Sequence, residues 1–187
     1  MGEGKALGNL GSAYAQLGDA RRAIGYHEQD LAIARETGGR VGEGKALGNL
    51  GIAYAQLGDA GRAIDCFEQH LAIARETGDR VGEGKALGNL GIAYCQLGDA
   101  RRAIGYHEQD LAIARETGNA FGLAIGLFNL GLAQARQGKL PQALSSAQEA
   151  ADLFTPLGHT EYAQRAQQLA DGLQGGVAIG RGPGGNS

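Results

Sequence analysis

Apolar residues recur along most of this chain at helical spacing, and the pattern restarts every 40 residues. In "VGEGKALGNLGIAYAQLGD", Ala46, Leu47, Leu50, Ala53, Tyr54 and Leu57 form one stripe of an amphipathic helix. Gly58-Asp59 ends it. In "AGRAIDCFEQHLAIARETG", Ala60, Ala63, Ile64, Phe67, Leu71, Ala72 and Ala74 make a second stripe, and Gly78 stands where a left-handed helix cap belongs. Asp79 is placed to cap the helix that follows. Helices joined by turns this short fold back on one another as antiparallel hairpins.

The period is strict. Leu10, Leu50, Leu90 and Leu130 lie 40 residues apart, each followed by Gly. Segments 2–41 and 42–81 differ only at Ser12/Ile52, Arg21/Gly61, Gly25/Asp65, Tyr26/Cys66, His27/Phe67, Asp30/His70 and Gly39/Asp79. Such self-similarity marks a stacked array, because one hairpin cannot bury its apolar faces alone. The expected organisation is four repeats in 1–158 (about 2–41, 42–81, 82–121 and 122–158), a capping helix at 159–174 and a flexible Gly-rich tail at 175–187. The fourth repeat has drifted but keeps Asn129, Leu130, Gly131, Gly138 and Ala143, with Pro141 in the first turn of its second helix. In the capping helix Ala163, Ala166, Leu169, Ala170 and Leu173 share a face. The first repeat has no such cap, so its first helix is expected to expose an apolar face. Either the array continues in a longer chain or that end stacks on another molecule.

Leu50-Gly51, Tyr54, Gly58, Ala63 and Phe67 sit at the spacing of the tetratricopeptide signature. The chain resembles tetratricopeptide repeat proteins. Its longer unit and the wording "GDRVGEGKALGNLGIAYAQLGDAGRAIDCFEQHLAIARE" are similar to the repeats of Partner of Inscuteable and its Leu-Gly-Asn repeat relatives, over residues 2 to about 158. The resemblance implies an all-α, right-handed alpha-solenoid of tandem 40-residue helix-turn-helix repeats. It also implies a concave groove that, in that family, holds extended peptides of polarity and spindle-orientation proteins. The G-protein-binding motifs that follow the repeats in that family are absent here, so that part of the function is not carried over.

Composition adjusts this picture in three places. The chain has 34 glycines and 3 prolines, although each helical Gly costs roughly 0.5–1 kcal/mol relative to Ala. Something specific must offset that cost. The net charge of -3 creates no field to attract nucleic acid or an anionic membrane. With no secretory signal and no apolar run near the ~20 residues of a membrane span, a cytoplasmic protein is expected. Cys66 and Cys95 have neither CxxC nor metal-ligand spacing and read as small buried hydrophobes.

Lys45 and Asn49 are separated by i, i+4 and share a helix face. The resemblance places that face on the groove, which would line up Lys5, Lys45 and Lys85 beside Asn9, Asn49, Asn89 and Asn129, with Gln16, Gln56 and Gln96 extending the row. Gly8, Gly48 and Gly88 are expected to leave the groove floor bare, so that a peptide backbone can approach. An Asn amide can pair with a peptide main chain whatever its sequence, and Lys attracts Asp, Glu or a terminal carboxylate. The competing reading has Asn bonding neighbouring helices to hold the stack, with Lys an ordinary solvated charge. A strict carboxylate clamp would add a second Asn three residues on, where this chain has Ser12, Ile52, Ile92 and Leu132. The Ile row instead calls for apolar side chains in the partner, and Ile125 in place of Lys makes the fourth unit more apolar still.

Catalysis is not expected. His27, His70, His107 and His159 lie in different units, without a cluster of ligand spacing. His27 and His107 occupy the slot of Phe67, which argues for packed rings. Glu28-Gln29-Asp30 and Arg35-Glu36 read as a solvated helix face. Serine is too scarce in the repeats for a triad, and neither metal nor cofactor is implied. The expectation is a scaffold or adaptor that binds an extended, acidic and partly apolar peptide. The alternatives are a structural module that self-associates through its uncapped first helix, and a regulatory segment of a larger signalling protein.

Overall fold

Every twentieth residue from Gly18 to Gly158 is a glycine with φ between 65° and 86°. This holds in the computed structural model, which describes the backbone of residues 2–180 and the side chains of residues 2–175. A left-handed residue at a helix end admits glycine without strain and stops the helix there. The next residue starts another. Asp19, Asp59 and Asp99 accept hydrogen bonds from the backbone N–H of Arg22, Arg62 and Arg102, as Asp79 does from Gly82 and Asn119 from Gly122. Each such cap is worth about 1 kcal/mol. Gly39 holds the same place without a side-chain cap.

Among the described residues this punctuation yields nine helices and no strand. They fall into two compact units, residues 1–98 and 99–187. The first holds α1 (Gly2–Gln16), α2 (Ala20–Glu36), α3 (Arg40–Leu57), α4 (Ala60–Thr77) and α5 (Arg80–Gln96). Consecutive helices pack together there, and α3 also touches both α1 and α5. The second holds α6 (Ala100–Glu116), α7 (Ala120–Arg136), α8 (Leu140–Phe154) and α9 (Thr160–Gly180), each packed on the next.

The core of the first unit is built from the predicted stripes, with Ala46, Leu47, Leu50 and Ala53 of α3 and Ala63, Phe67, Leu71 and Ala74 of α4 all buried. Three stripe residues are not, among them Ala60 at the start of α4. Leu57 ends α3 beside the turn and is 40% exposed, while Ala72 faces solvent and its neighbour Ile73 is buried instead.

Glycine's cost is offset by close helix packing within each hairpin. A methyl group on Gly51 would lie 2.5 Å from Phe67 Cε1, one on Gly48 2.9 Å from His70 Nδ1, and one on Gly44 3.2 Å from Ile73 Cγ2. Between α1 and α2, a methyl on Gly11 would lie 2.6 Å from His27 Cε1 and one on Gly8 2.7 Å from Asp30 Oδ2. Gly48 lines the hollow between α3 and α5, as expected from the sequence, but the space left at Gly8 and Gly48 is also taken up by side chains of the second helix. Their missing side chains make room for Asp30 and His70 of the same repeat. In the fourth repeat the bulk is exchanged, with Phe128 at the glycine position and Ala150 at the position of Asp30, His70 and Asp110.

On the helix face read as solvated, Glu28, Gln29, Arg35 and Glu36 are exposed, but Glu28 and Arg35 also bond to the neighbouring helix. Arg35 Nε donates to Glu43 Oε1 at 2.9 Å, Arg40 pairs with both Glu43 and Glu76, and Tyr54 donates its hydroxyl to Glu28 at 2.9 Å. Arg75 and Arg80 repeat the grip on Glu83. The Arg35–Glu43, Tyr54–Glu28 and Arg75–Glu83 bonds tie the second helix of one repeat to the first helix of the next, while Arg40–Glu76 joins α3 to α4 and the Arg40–Glu43 and Arg80–Glu83 pairs lie within one helix. Side chains of this length reach a neighbouring helix that a single-helix pattern does not show.

At the end of the second unit, Ala166, Ala170 and Leu173 of α9 are buried. Phe121, Phe154, His159 and Tyr162 form an aromatic cluster there, with ring centroids 4.4–6.1 Å apart. The helix runs to Gly180, past residue 174 where the sequence pattern ends it. The rest of the expected tail, 181–187, lies outside the described residues. On α1, Leu10 is 45% exposed, whereas Leu50 is 5% and Leu90 0% exposed.

Candidate functional site

Helices α3 and α5 touch side by side over α4, so residues spaced by 40 in sequence become neighbours. A groove of about 490 Å³ runs between them, walled by Lys45, Asn49 and Ile52 of α3 and by Val81, Lys85 and Asn89 of α5. His70 of α4 lies beneath it, and Asp79 stands at its end. A second hollow of about 360 Å³ adjoins, lined by Ile52, Gln56, Asn89, Ile92 and Gln96, with the buried Phe67 ring below. The predicted Lys, Asn and Gln positions of repeats two and three are thus brought onto one surface. Ile52 and Ile92, 41% and 40% exposed, give that surface its apolar component.

The remaining predicted positions are placed less closely. Lys5, Asn9 and Gln16 are exposed on α1, outside both hollows. Asn129 is partly exposed on α7, near the partly exposed Ile125 on the same helix.

The side chains of Asn9, Asn49, Asn89 and Asn129 make no hydrogen bond to any protein group among the described residues. Their stack-holding role is not seen. Each keeps a free donor pair and a free acceptor.

Sequence reasoning missed His70 beneath the groove and its counterparts Asp30 on α2 and Asp110 on α6. Asp30 and Asp110 lack hydrogen-bond and ion-pair partners among the described residues. Burial raises the carboxyl pKa of Asp30 and pushes that of Asp110 up to about 6, because a carboxylate loses solvation away from water. His70 takes their place in repeat two and is 7% exposed. Burial holds its imidazole below the ordinary pKa, with Lys85 acting in the same direction and Asp79 opposing. The signal available was the Asp30/His70 difference between otherwise matching repeats.

A profile of the tetratricopeptide repeat matches residues 3–76 and 78–155. The chain belongs to the tetratricopeptide repeat family. No protein of curated function matches it. Among solved structures, the apo form of RapI aligns with a TM-score of 0.83 at 18% identity, over 96% of this chain and 70% of that one. Aspartyl phosphate phosphatase F from Bacillus subtilis aligns with a TM-score of 0.84 at 16% identity, over 89% of this chain and 44% of that one. Nearly identical TPR-like repeats of a putative kinesin light chain from Podosopora anserina align with a TM-score of 0.67 at 21% identity, over 92% of this chain and 95% of that one. Identities this low show the fold alone, and that fold is the expected all-α tandem-repeat solenoid class.

Within the tetratricopeptide frame, His27 and His107 are packed rings, each 1% exposed, as their exchange with Phe67 implies. Their Nδ1 atoms are buried without a hydrogen-bond partner. Burial lowers both pKa values, that of His107 to about 4. Among the described residues no group of three His, Cys, Asp or Glu side chains could hold a metal ion, and no helix is long and apolar enough to cross a membrane.

Proposed function

We propose that this tetratricopeptide array is a protein-interaction scaffold whose first helices bind an extended peptide, with Asn49 and Asn89 reading its main chain and Ile52 and Ile92 its apolar side chains. The observation that carries this reading is the groove between α3 and α5, where both Asn amides stand without a protein partner beside exposed Ile residues. An amide that satisfies no neighbouring helix remains available to a ligand backbone, as in recognition of extended segments. Lys45 and Lys85 flank the amides and favour acidic residues in the partner. The 40-residue unit and its Leu-Gly-Asn wording support a likeness to the Partner of Inscuteable repeats, whose groove holds extended peptides. Lys5, Asn9, Gln16 and Asn129 extend the same role to the outer repeats.

The test is capture of protein partners by the wild-type array and by a variant with Asn9, Asn49, Asn89 and Asn129 all replaced by Ala, with circular dichroism on both. A partner held by the wild type and lost by the folded variant supports the groove. Equal capture by both removes the Asn row from recognition.

A second reading is favoured by the apolar face of α1, where Leu10 is exposed although Leu50 and Leu90 are not. It has the array associate with itself through that face. Light scattering over a concentration series on wild type and Leu10→Glu decides it, since only self-association makes the apparent mass concentration-dependent and Leu10-dependent.

A further inference from the structure

Near-identical repeats pose a problem that the peptide reading leaves open. Subsites 40 residues apart look alike to a ligand, so a bound segment could slide by one repeat. Three groove positions differ between repeats one and two, Ser12/Ile52, Gly39/Asp79 and Asp30/His70, and the last of these lies under the Lys row. At the same second-helix position, repeats one and three carry the carboxylates Asp30 and Asp110, whereas repeat two carries the imidazole of His70.

The His70 ring is built into the groove. It is 7% exposed, and its Nδ1 is sealed against Gly48 without an acceptor. A buried N–H without an acceptor is more costly than an unused lone pair, so the proton is assigned to Nε2. Nε2 is then the donor of the ring, and His70, Lys45 and Lys85 line the same cavity. The nearby acid, Asp79, is engaged at the start of α5, where its carboxylate accepts from Gly82 N at 2.8 Å. In repeat one the corresponding floor is an unpartnered carboxylate, which repels an anion brought beside the Lys row.

Resting on the peptide-groove reading, we infer that the cleft over His70 is the anchoring subsite for one acidic side chain of the bound peptide. A Glu or Asp carboxylate there accepts from Nε2 between Lys45 and Lys85. A slip by one repeat would set it over Asp30, so this contact fixes the register of the whole segment.

The test uses two capped peptides, Ac-Gly-Ile-Gly-Glu-Gly-Ile-Gly-NH2 and its Gln counterpart, titrated into the isotope-labelled full chain. Side-chain amide signals of Asn49 and Asn89 and the His70 ring report binding by NMR. The Glu peptide is expected to bind at least about tenfold more tightly than the Gln peptide, the difference a charge-assisted bond supplies. In His70→Asp, which installs the residue of repeats one and three, the ratio falls close to one. In Asp30→His the number of Glu-selective sites rises from one to two. Equal affinity of both peptides for the wild type, or a Glu preference kept in His70→Asp, overturns the anchor and leaves the groove reading standing. Absence of any shift with either peptide overturns both.

Discussion

Replacing His107 by Phe tests whether these repeats have a buried ring slot in which histidine is the poorer occupant. Phe67 fills that slot in repeat two at 2% exposure, so the ring has a precedent in the same fold. At pH 7 the substitution removes a buried nitrogen that lacks a partner, worth about 1–3 kcal/mol. A second contribution depends on pH. The folded-state pKa of His107 is lowered to about 4 from 6.5, so the unfolded chain takes up a proton between pH 7 and pH 5 while the folded chain takes up almost none. Stability conferred by neutral His107 is therefore complete above 6.5 and lost as pH falls toward 4, amounting to about 2 kcal/mol at pH 5. Asp110 acts with the opposite sign, because its raised pKa makes the folded chain the better proton acceptor below about 6. That contribution is shared by both proteins and cancels in their difference. Urea unfolding followed by circular dichroism at pH 7 and pH 5 should show His107→Phe more stable at both, with a gain about 2 kcal/mol larger at pH 5. A gain that does not grow on acidification, or a loss at both pH values, would refute the reasoning.

Gly51→Ala should lower stability by about 1–3 kcal/mol despite its better helix propensity, since the added methyl would meet Phe67 at 2.5 Å. Gly25→Ala, with nothing within 4 Å, should instead raise it by about 0.5–1 kcal/mol; thermal melts of the pair check both signs. Asp110→Asn should stabilise the fold at pH 7, with the advantage closing as pH falls through about 6 toward the ordinary carboxylate range. That is measurable as a converging pair of urea midpoints.

The helices and turns were legible because Gly-Asp and Gly-Asn pairs fix both a stop and a start. The left-handed glycines at 18, 58 and 78 and the Asp caps that follow them need only local backbone physics. The Asn and Lys rows were legible as shared helix faces, because i, i+4 spacing is a property of one helix. What one helix does not disclose is which neighbour each face meets. Gly48 and Asn49 are adjacent in sequence and about 100° apart around the axis; both line the groove, but Gly48 packs against His70 while Asn49 keeps its amide free. The same limit hid the Arg35–Glu43 pair, whose partners lie on different helices. Asp30 and His70 were visible as a difference between repeats, but only the packing of α4 under α3 and α5 gives that difference a place.

The central claim is that Asn49 and Asn89 serve a ligand and not the stack. A peptide selected by display against the wild-type array would be titrated into Asn49→Ala/Asn89→Ala, with the urea midpoint measured on the same samples. The account predicts a loss of affinity of at least about tenfold with an unchanged midpoint. A lowered midpoint with affinity retained would contradict it.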